Sequence, residues 1–190
     1  MKRINSAALI ISKILEVVHW VMVGLMLCLL VTSLVAGQWL APYLLRGVPL
    51  FGTELATYGF TLSAVGLDGS IDMAAIRLFC LGAVLILSLM AMVFRNVFLI
   101  LKTTKGMTWF SKGDTPFQND NTRMVREIGI FYMAVPVIGL VMSVIARLVV
   151  GDAAEVSMNL EGLITGMILL CLSQVFSYGT QLQQDVDGLV

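Results

Sequence analysis

The stretch AAIRLFCLGAVLILSLMAMVFRNVFLIL occupies residues 74–101 and carries no charge between Arg77 and Arg95. An α-helix rises about 1.5 Å per residue and the hydrocarbon core of a bilayer is about 30 Å thick, so about 20 mainly apolar residues suffice to cross it. The stretch is long enough and apolar enough for that crossing. It therefore predicts a membrane-spanning helix.

Three further segments meet the same test of length and polarity: residues 14–36, 128–150 and 160–178. The first of them has to be compared with a cleavable signal peptide, whose apolar region is about 7–15 residues long and ends in small residues. Here Lys13 and Glu16 interrupt the early part, and the charge-free run beyond them is longer than such a region. We therefore expect a retained anchor and four spans in total.

The composition agrees with a membrane protein and excludes several other classes. The chain has 190 residues, of which 58% are apolar and 13% charged, and its mean hydropathy is +0.94. An average soluble domain is about 45–50% apolar and about 25% charged. A soluble domain of this size exposes too much surface to hide so many apolar side chains. An ordinary cytosolic enzyme, a disordered chain and a nucleic-acid binder are therefore excluded, and no direct contact with nucleic acid is expected.

The positive charges are unevenly distributed between the two sides of the predicted spans. Nine of the twelve Lys and Arg residues precede the first span or surround the loop between the second and third, and the other three lie on the opposite side. Loops rich in Lys and Arg tend to stay in the cytoplasm. Because the number of spans is even, we expect both termini on the cytoplasmic side.

The spans predict an all-α fold, an integral membrane four-helix bundle that forms a single domain over residues 1–190. Residues 37–73 are expected to be a long external loop, in which the β-favouring residues Tyr58, Phe60 and Thr61 favour a short strand or hairpin. This loop is interpreted as an interfacial cap with aromatic side chains at headgroup depth, or as a ligand-sensing lid. Residues 102–127 are expected to form a cytoplasmic loop and residues 179–190 a cytoplasmic tail.

The cytoplasmic loop contains the most specific local sequence. Residues 113–116, GDTP, are typical of a turn, and one of Asn119, Asp120 and Asn121 is expected to cap the next helix. Phe117 is expected to pack on the first turn of that helix as a hydrophobic staple. Two interpretations stay open: a well-formed connection between two helices, or an exposed basic surface for a cytoplasmic partner.

Two motifs carry a resemblance to a known family. The loop contains G-x-T-P-F-x-x-x-N followed by R-x-I-G, and the chain ends in L-Q-x-D-x-D-x-x-V. This order of four spans and two motifs resembles a family of small bacterial inner-membrane proteins classed as a domain of unknown function. Its members are often encoded beside a small helix-turn-helix regulator, so the resemblance implies the bacterial inner membrane and a regulatory partner. The matching residues are Gly113, Thr115, Pro116, Phe117, Asn121, Arg126, Ile128, Gly129, Leu182, Gln183, Asp185, Asp187 and Val190.

Ionisable residues within spans are costly and are candidates for function. Glu16 and His19 lie three residues apart, on one helix face near the cytoplasmic end of the first span, and Arg95 lies near the same end of the second. These three residues form a candidate intramembrane polar cluster. The alternative is that their side chains reach the headgroups or form structural ion pairs, since all of them are near span ends.

These patterns favour a non-enzymatic sensor, regulatory or interaction protein that acts through its cytoplasmic loop and tail. The tail acids are expected to dock against basic residues of the loop and to compete there with a partner. No catalytic, metal-binding or cofactor-binding residue is predicted, and the expected partners are the lipid bilayer, a cytoplasmic regulator and a second copy of the chain. The alternative function is a subunit of a small oligomeric transporter or channel. The candidate partner surface comprises Trp109, Lys112, Thr115, Pro116, Phe117, Asn121, Arg123, Arg126, Asp185 and Asp187.

Overall fold

A computed structural model describes residues 2–66, 69–111, 115–151 and 160–187, with side chains in these ranges except at residues 2–5, 48–51 and 187. The described elements are five helices and one β-hairpin. They are α1 (Lys2–Val35), α2 (Gly37–Phe51), β1 (Glu54–Thr57), β2 (Phe60–Ser63), α3 (Met73–Thr103), α4 (Asn119–Val150) and α5 (Leu160–Asp187).

Four of these helices, α1, α3, α4 and α5, are long and apolar enough to cross a membrane. Helices suit this task because all their backbone hydrogen bonds close within the segment, where hydrocarbon offers no other partners. The predicted all-α fold class is confirmed, and the four helices indicate a multi-pass membrane protein.

The helices extend beyond the predicted span limits. The first begins at Lys2 instead of residue 14, and α5 continues through the predicted tail as far as Asp187. Hydropathy marks only the part of a helix that lies in hydrocarbon, whereas the backbone pattern continues through polar residues with adequate helix propensity. Residues 179–187 are therefore helical, and the predicted tail is largely the end of α5.

The predicted external loop contains a helix that the sequence did not indicate. Residues Gly37–Phe51 form α2, although Pro42 and Pro49 lie within it. Proline removes a backbone donor and usually ends a helix, which is why this segment looked irregular. Trp39 and Tyr43 are four residues apart in α2, which places them on one face, and both are largely exposed.

The hairpin favoured by residues 54–64 is confirmed. Strands β1 and β2 pair antiparallel from Glu54 opposite Ser63 to Thr57 opposite Phe60. The turn between them is Tyr58-Gly59, and both residues have positive φ, 41° and 88°. A two-residue loop with this backbone is the I′ type, whose twist matches that of the flanking strands.

The chain packs as two compact units, which we name by their contents. The hairpin unit is Trp20–Ser88 with Val135–Leu160, and the loop unit is Met1–His19, Leu89–Ala134 and Glu161–Val190. In the hairpin unit, Phe60 is fully buried and stacks on Phe79 with ring centroids 5.9 Å apart. A Cβ at Gly82 would lie 2.8 Å from the Phe60 ring, so glycine makes room for that ring on α3.

In the loop unit, α4 and α5 approach closely at a pair of glycines. A Cβ built on Gly166 would lie 2.4 Å from Cγ of Met133 and 2.8 Å from the carbonyl oxygen of Gly129. Small residues allow helix backbones in membranes to come this near, and van der Waals packing then replaces the hydrophobic drive that lipid does not supply. A methyl group at Gly166 would therefore meet the flexible Met133 side chain and also the Gly129 backbone, which cannot move aside as easily.

We predict that Gly166→Ala destabilises the protein by about 1–3 kcal/mol, because the added methyl group overpacks the contact with α4. Gly24→Ala is the matched control, since a Cβ on this α1 glycine has no atom within 4 Å. The control should unfold at or above the wild-type temperature, because alanine favours a helix over glycine. Thermal unfolding in detergent measures both variants, and equal stability of the two would contradict the packing described.

Candidate functional site

The loop after α3 begins with a defined helix end. The amide of Met107 donates to the carbonyl of Lys102 at 3.1 Å, and the amide of Gly106 donates to that of Thr103 at 2.9 Å. These two bonds form a Schellman motif with Gly106 in the left-handed region, at φ 66°. The motif satisfies carbonyls that a helix end leaves open and turns the chain sharply.

The first half of the loop is attached to Thr103, which is fully buried. The hydroxyl of Thr108 donates to Oγ1 of Thr103 at 3.1 Å, and the hydroxyl of Ser111 donates to the Thr103 carbonyl at 3.0 Å. Between them, Trp109 is 95% exposed and meets Phe110 edge-on. The sequence-predicted surface residue Trp109 is therefore accessible on a loop that is tied down on both sides of it. Lys112, another predicted surface residue, lies outside the described residues.

The approach to α4 is organised by the Thr115–Pro116 segment. The Thr115 hydroxyl accepts from the amide of Phe117 at 3.2 Å, and the Thr115 carbonyl accepts from Nε2 of Gln118 at 2.9 Å. Nδ2 of Asn121 donates to the carbonyl of Pro116 at 2.9 Å. This network fixes the path of the chain into the first turn of α4.

Two predictions about Asn121 are wrong. It lies inside α4, which begins at Asn119, and its side chain donates backwards instead of capping the helix amides. It is also fully buried, so it does not belong to an accessible partner surface. The neighbouring Gln118, which sequence reasoning did not select, precedes α4, and its carbonyl accepts from the amide of Thr122 at 3.0 Å.

The second half of the loop docks on α5 through neutral contacts. The Thr115 hydroxyl donates to Oε1 of Gln183 at 2.7 Å, and the Phe117 ring lies 5.8 Å from that of Phe176. A Cβ at Gly179 would lie 2.6 Å from the Phe117 ring, so this ring occupies the space that glycine leaves. Phe117 thus packs on α5 instead of acting as the predicted staple on α4.

The contacted residues of α5 recur every three or four positions and so share one face of the helix. Thr180 belongs to the same face, and its Oγ1 lies 3.4 Å from Oγ1 of Thr122 at the start of α4. A small cleft of about 90 Å³ runs along this contact and is lined by hydroxyl and amide side chains around Phe117. We call this contact, made by Thr115, Phe117, Thr122, Phe176, Gly179, Thr180 and Gln183, the loop–α5 seam.

The predicted docking of the tail acids on basic loop residues is absent from the described part of the chain. Asp185 is exposed and forms no ion pair there, and the side chain of Asp187 is not described. Because α5 continues to residue 187, Asp185 lies about 200° around the helix from Gln183, away from the seam. Among the described residues, the contacts that hold the loop on α5 are neutral, and Asp185 takes no part in them.

The two predicted arginines of the surface differ in their surroundings. Nε of Arg123 lies 3.4 Å from Oε1 of Glu127, whose Oε2 accepts from the buried Asn96 at 3.0 Å. Arg126 is exposed, as is Pro116. Arg123 therefore belongs to a polar network between α3 and α4 of the loop unit, and Arg126 is the arginine free of that network.

The predicted polar cluster is formed only in part. Glu16 and His19 are both buried, but Arg95 is exposed on α3. The cation near Glu16 is instead Lys13, whose Nζ lies 2.9 Å from Oε2 of Glu16 and 5.2 Å from the centre of the Phe98 ring. The spacing of Lys13 and Glu16, three residues apart in a helix, was the signal that would have identified this pair.

His19 is held by its own helix. Nδ1 donates to the carbonyl of Leu15 at 2.7 Å, and the ring lies 5.0 Å from that of Phe94. Across the described residues, no group of three or more His, Cys, Asp or Glu side chains is placed to hold a metal ion. The geometry of the loop unit supports reversible contact between surfaces through hydrogen bonds and aromatic packing.

Comparison of the chain with known protein families, with curated proteins and with solved structures finds no match in any of the three.

We predict that Phe117→Ala loosens the loop–α5 seam and raises trypsin cleavage after Lys112, the lysine between the part of the loop attached to Thr103 and the seam, about tenfold, a change that corresponds to a loss of about 1.4 kcal/mol. Trp109→Ala is the matched control, because it removes an aromatic side chain from the same loop without touching α5. Cleavage of the solubilised protein is followed by mass spectrometry. If the two variants are cut at the same rate, Phe117 does not hold the loop.

Proposed function

We propose that this chain is a non-enzymatic sensor or regulator of the bacterial inner membrane, with both termini in the cytoplasm. Its acting surface consists of the loop between α3 and α4 together with the end of α5. The partner that fits this proposal best is a cytoplasmic regulator protein.

The orientation is supported by how the positive charges divide between the two units. All nine of the Lys and Arg residues expected in the cytoplasm belong to the loop unit, and Arg46, Arg77 and Arg147 belong to the hairpin unit. Retention of Lys-rich and Arg-rich segments in the cytoplasm then favours the loop unit as the cytoplasmic one.

The single observation that carries the proposal is the exposure of Trp109 on an anchored loop. A tryptophan that is 95% exposed would be expected to be buried in some functional state, because large aromatic surfaces in water are costly. Tryptophan and arginine are also the residues that dominate binding energy at protein interfaces. Trp109 and the exposed Arg126 belong to the same unit and provide this combination.

The seam supplies a mechanism for regulation. It consists of a few neutral hydrogen bonds and one aromatic contact, and each such bond contributes about 0.5–1.5 kcal/mol. A partner or a signal with a few kcal/mol of preference for the open loop is therefore sufficient to release it. Release would move Phe117 and expose the face of α5 that carries Phe176 and Gln183. Binding of a partner to the loop would in this way change which surface of α5 is exposed.

A photo-crosslinking amino acid at position 109 tests this function in intact cells. We expect it to capture a cytoplasmic helix-turn-helix protein, identified by mass spectrometry, and we expect Arg126→Glu to reduce the yield by about tenfold, as for loss of one charged contact worth about 1.5–3 kcal/mol. Arg126 is chosen over Arg123 because Arg123 already pairs with Glu127 of the same helix.

Position 39 is the matched control, because Trp39 is also a largely exposed tryptophan but belongs to the hairpin unit. It should capture no cytoplasmic protein. Capture of the same cytoplasmic protein from both positions would contradict the proposed surface and orientation. Capture of only a second copy of this chain from position 109 would contradict the regulatory role and favour an oligomeric transporter or channel subunit.

A further inference from the structure

A cleft of the hairpin unit with a volume of about 640 Å³ lies where α1 ends and α2 begins. Its walls are formed by residues 34–37, by the first turns of α2 including Trp39, and by Met73 and Arg77 from the start of α3. Most of these residues are apolar, and Arg77 is the charged residue among them. The cleft is therefore lined by both apolar and polar groups, and Arg77 makes one of its walls cationic.

The guanidinium of Arg77 is only partly satisfied by the protein. Nη2 donates to the carbonyl of Ser33 at 2.7 Å, in the last turn of α1, where carbonyls lack partners within the helix. Nε is completely buried and has no hydrogen-bond partner among the described residues. An unpaired donor on a buried cation is costly, since burial removes the water that would otherwise stabilise the charge.

The nearby acid that might have neutralised Arg77 is already in use. Oδ1 of Asp72 accepts from the amides of Ala74 and Ala75 at 2.8 and 3.1 Å, which caps the start of α3. Arg77 forms no ion pair within the described ranges. Within the described ranges, the carbonyl of Ser33 is therefore the one hydrogen-bond partner of this guanidinium, and a ligand in the cleft would meet its terminal nitrogens, because Nε is completely buried.

One further feature favours an anion at this place. Gly37 opens the first turn of α2, where a Cβ would lie 3.2 Å from Nη2 of Arg77, so glycine allows the backbone to come close to the guanidinium. The partial positive charge of this helix start is opposed by the end of α1, whose open carbonyls lie at the same cleft. Arg77 is therefore the group of the cleft that attracts an anion.

We propose that this cleft binds the anionic phosphate group of an amphiphile, with Arg77 as the phosphate ligand. Arginine suits this task because its planar group offers several donors to phosphate oxygens at once. The cleft lies at the ends of the spanning helices α1 and α3, so its apolar walls suit an acyl chain and its exposed Trp39 suits the headgroup region. A membrane phospholipid carries both the phosphate group and the acyl chain, so it is the ligand that fits this cleft. This site is independent of the regulatory role proposed for the loop unit.

Native mass spectrometry of the full chain in detergent tests the proposal, with phosphatidylglycerol, phosphatidylcholine and inorganic phosphate as probes. The wild type should retain phosphatidylglycerol in preference to phosphatidylcholine. Arg77→Gln should weaken phosphatidylglycerol binding about tenfold or more, as expected for loss of a charged hydrogen-bonding partner. Arg77→Lys should lose less, because it keeps the charge.

Arg46→Gln is the matched control, since it removes the same charge from an exposed position of α2 that faces Tyr43. It should bind phosphatidylglycerol as the wild type does, and thermal unfolding of each variant separates loss of binding from loss of fold. If millimolar inorganic phosphate displaces the lipid, the site exists but its ligand is a free phosphate and not a lipid headgroup. Equal binding by the wild type and a folded Arg77→Gln variant, or an equal loss in Arg46→Gln, would overturn the proposal.

Discussion

Hydrocarbon offers no hydrogen-bond partners, so polar groups within the spans must be satisfied by the chain itself. The helices satisfy their own backbones, and several of their polar side chains return to carbonyls of the preceding turn, whereas the buried Ser143 hydroxyl has no partner among the described residues. Ser12 donates to the carbonyl of Ala8 at 2.8 Å, Ser88 to that of Val84 at 2.6 Å, and His19 to that of Leu15 at 2.7 Å. This local pairing explains how serines and a histidine are accommodated on spanning helices without forming a catalytic group.

The functional candidates are the places where a polar or aromatic side chain contacts a residue far away in the sequence instead of its own helix. Arg77 reaches another helix, forms no ion pair in the described chain and lines a cleft, which is why it is assigned a phosphate. The loop–α5 seam joins residues far apart in sequence, Thr115 with Gln183 and Phe117 with Phe176. The first feature calls for a ligand, and the second is a contact of modest strength that a partner can displace.

The sequence predicted what depends on long patterns and missed what depends on contacts between segments. Four spans followed from hydropathy, and the hairpin followed from its β-favouring residues, because both signals are local. Helix α2 was missed because Pro42 is a strong local breaker, yet the surrounding packing tolerates it. Asn121 is a residue type that often caps helices, but it is buried inside α4. Asp185 has the charge to dock on the basic loop, but α5 continues past it and turns it away from the seam.

The central claim is that neutral contacts hold the loop against the end of α5. A double-mutant cycle of Thr115→Val and Gln183→Leu tests it most directly, with amide hydrogen exchange of residues 180–186 as the measurement. The hydrogen bond between these side chains, 2.7 Å long, predicts a coupling free energy of about 0.5–1.5 kcal/mol. Effects of the two substitutions that simply add would contradict the claim.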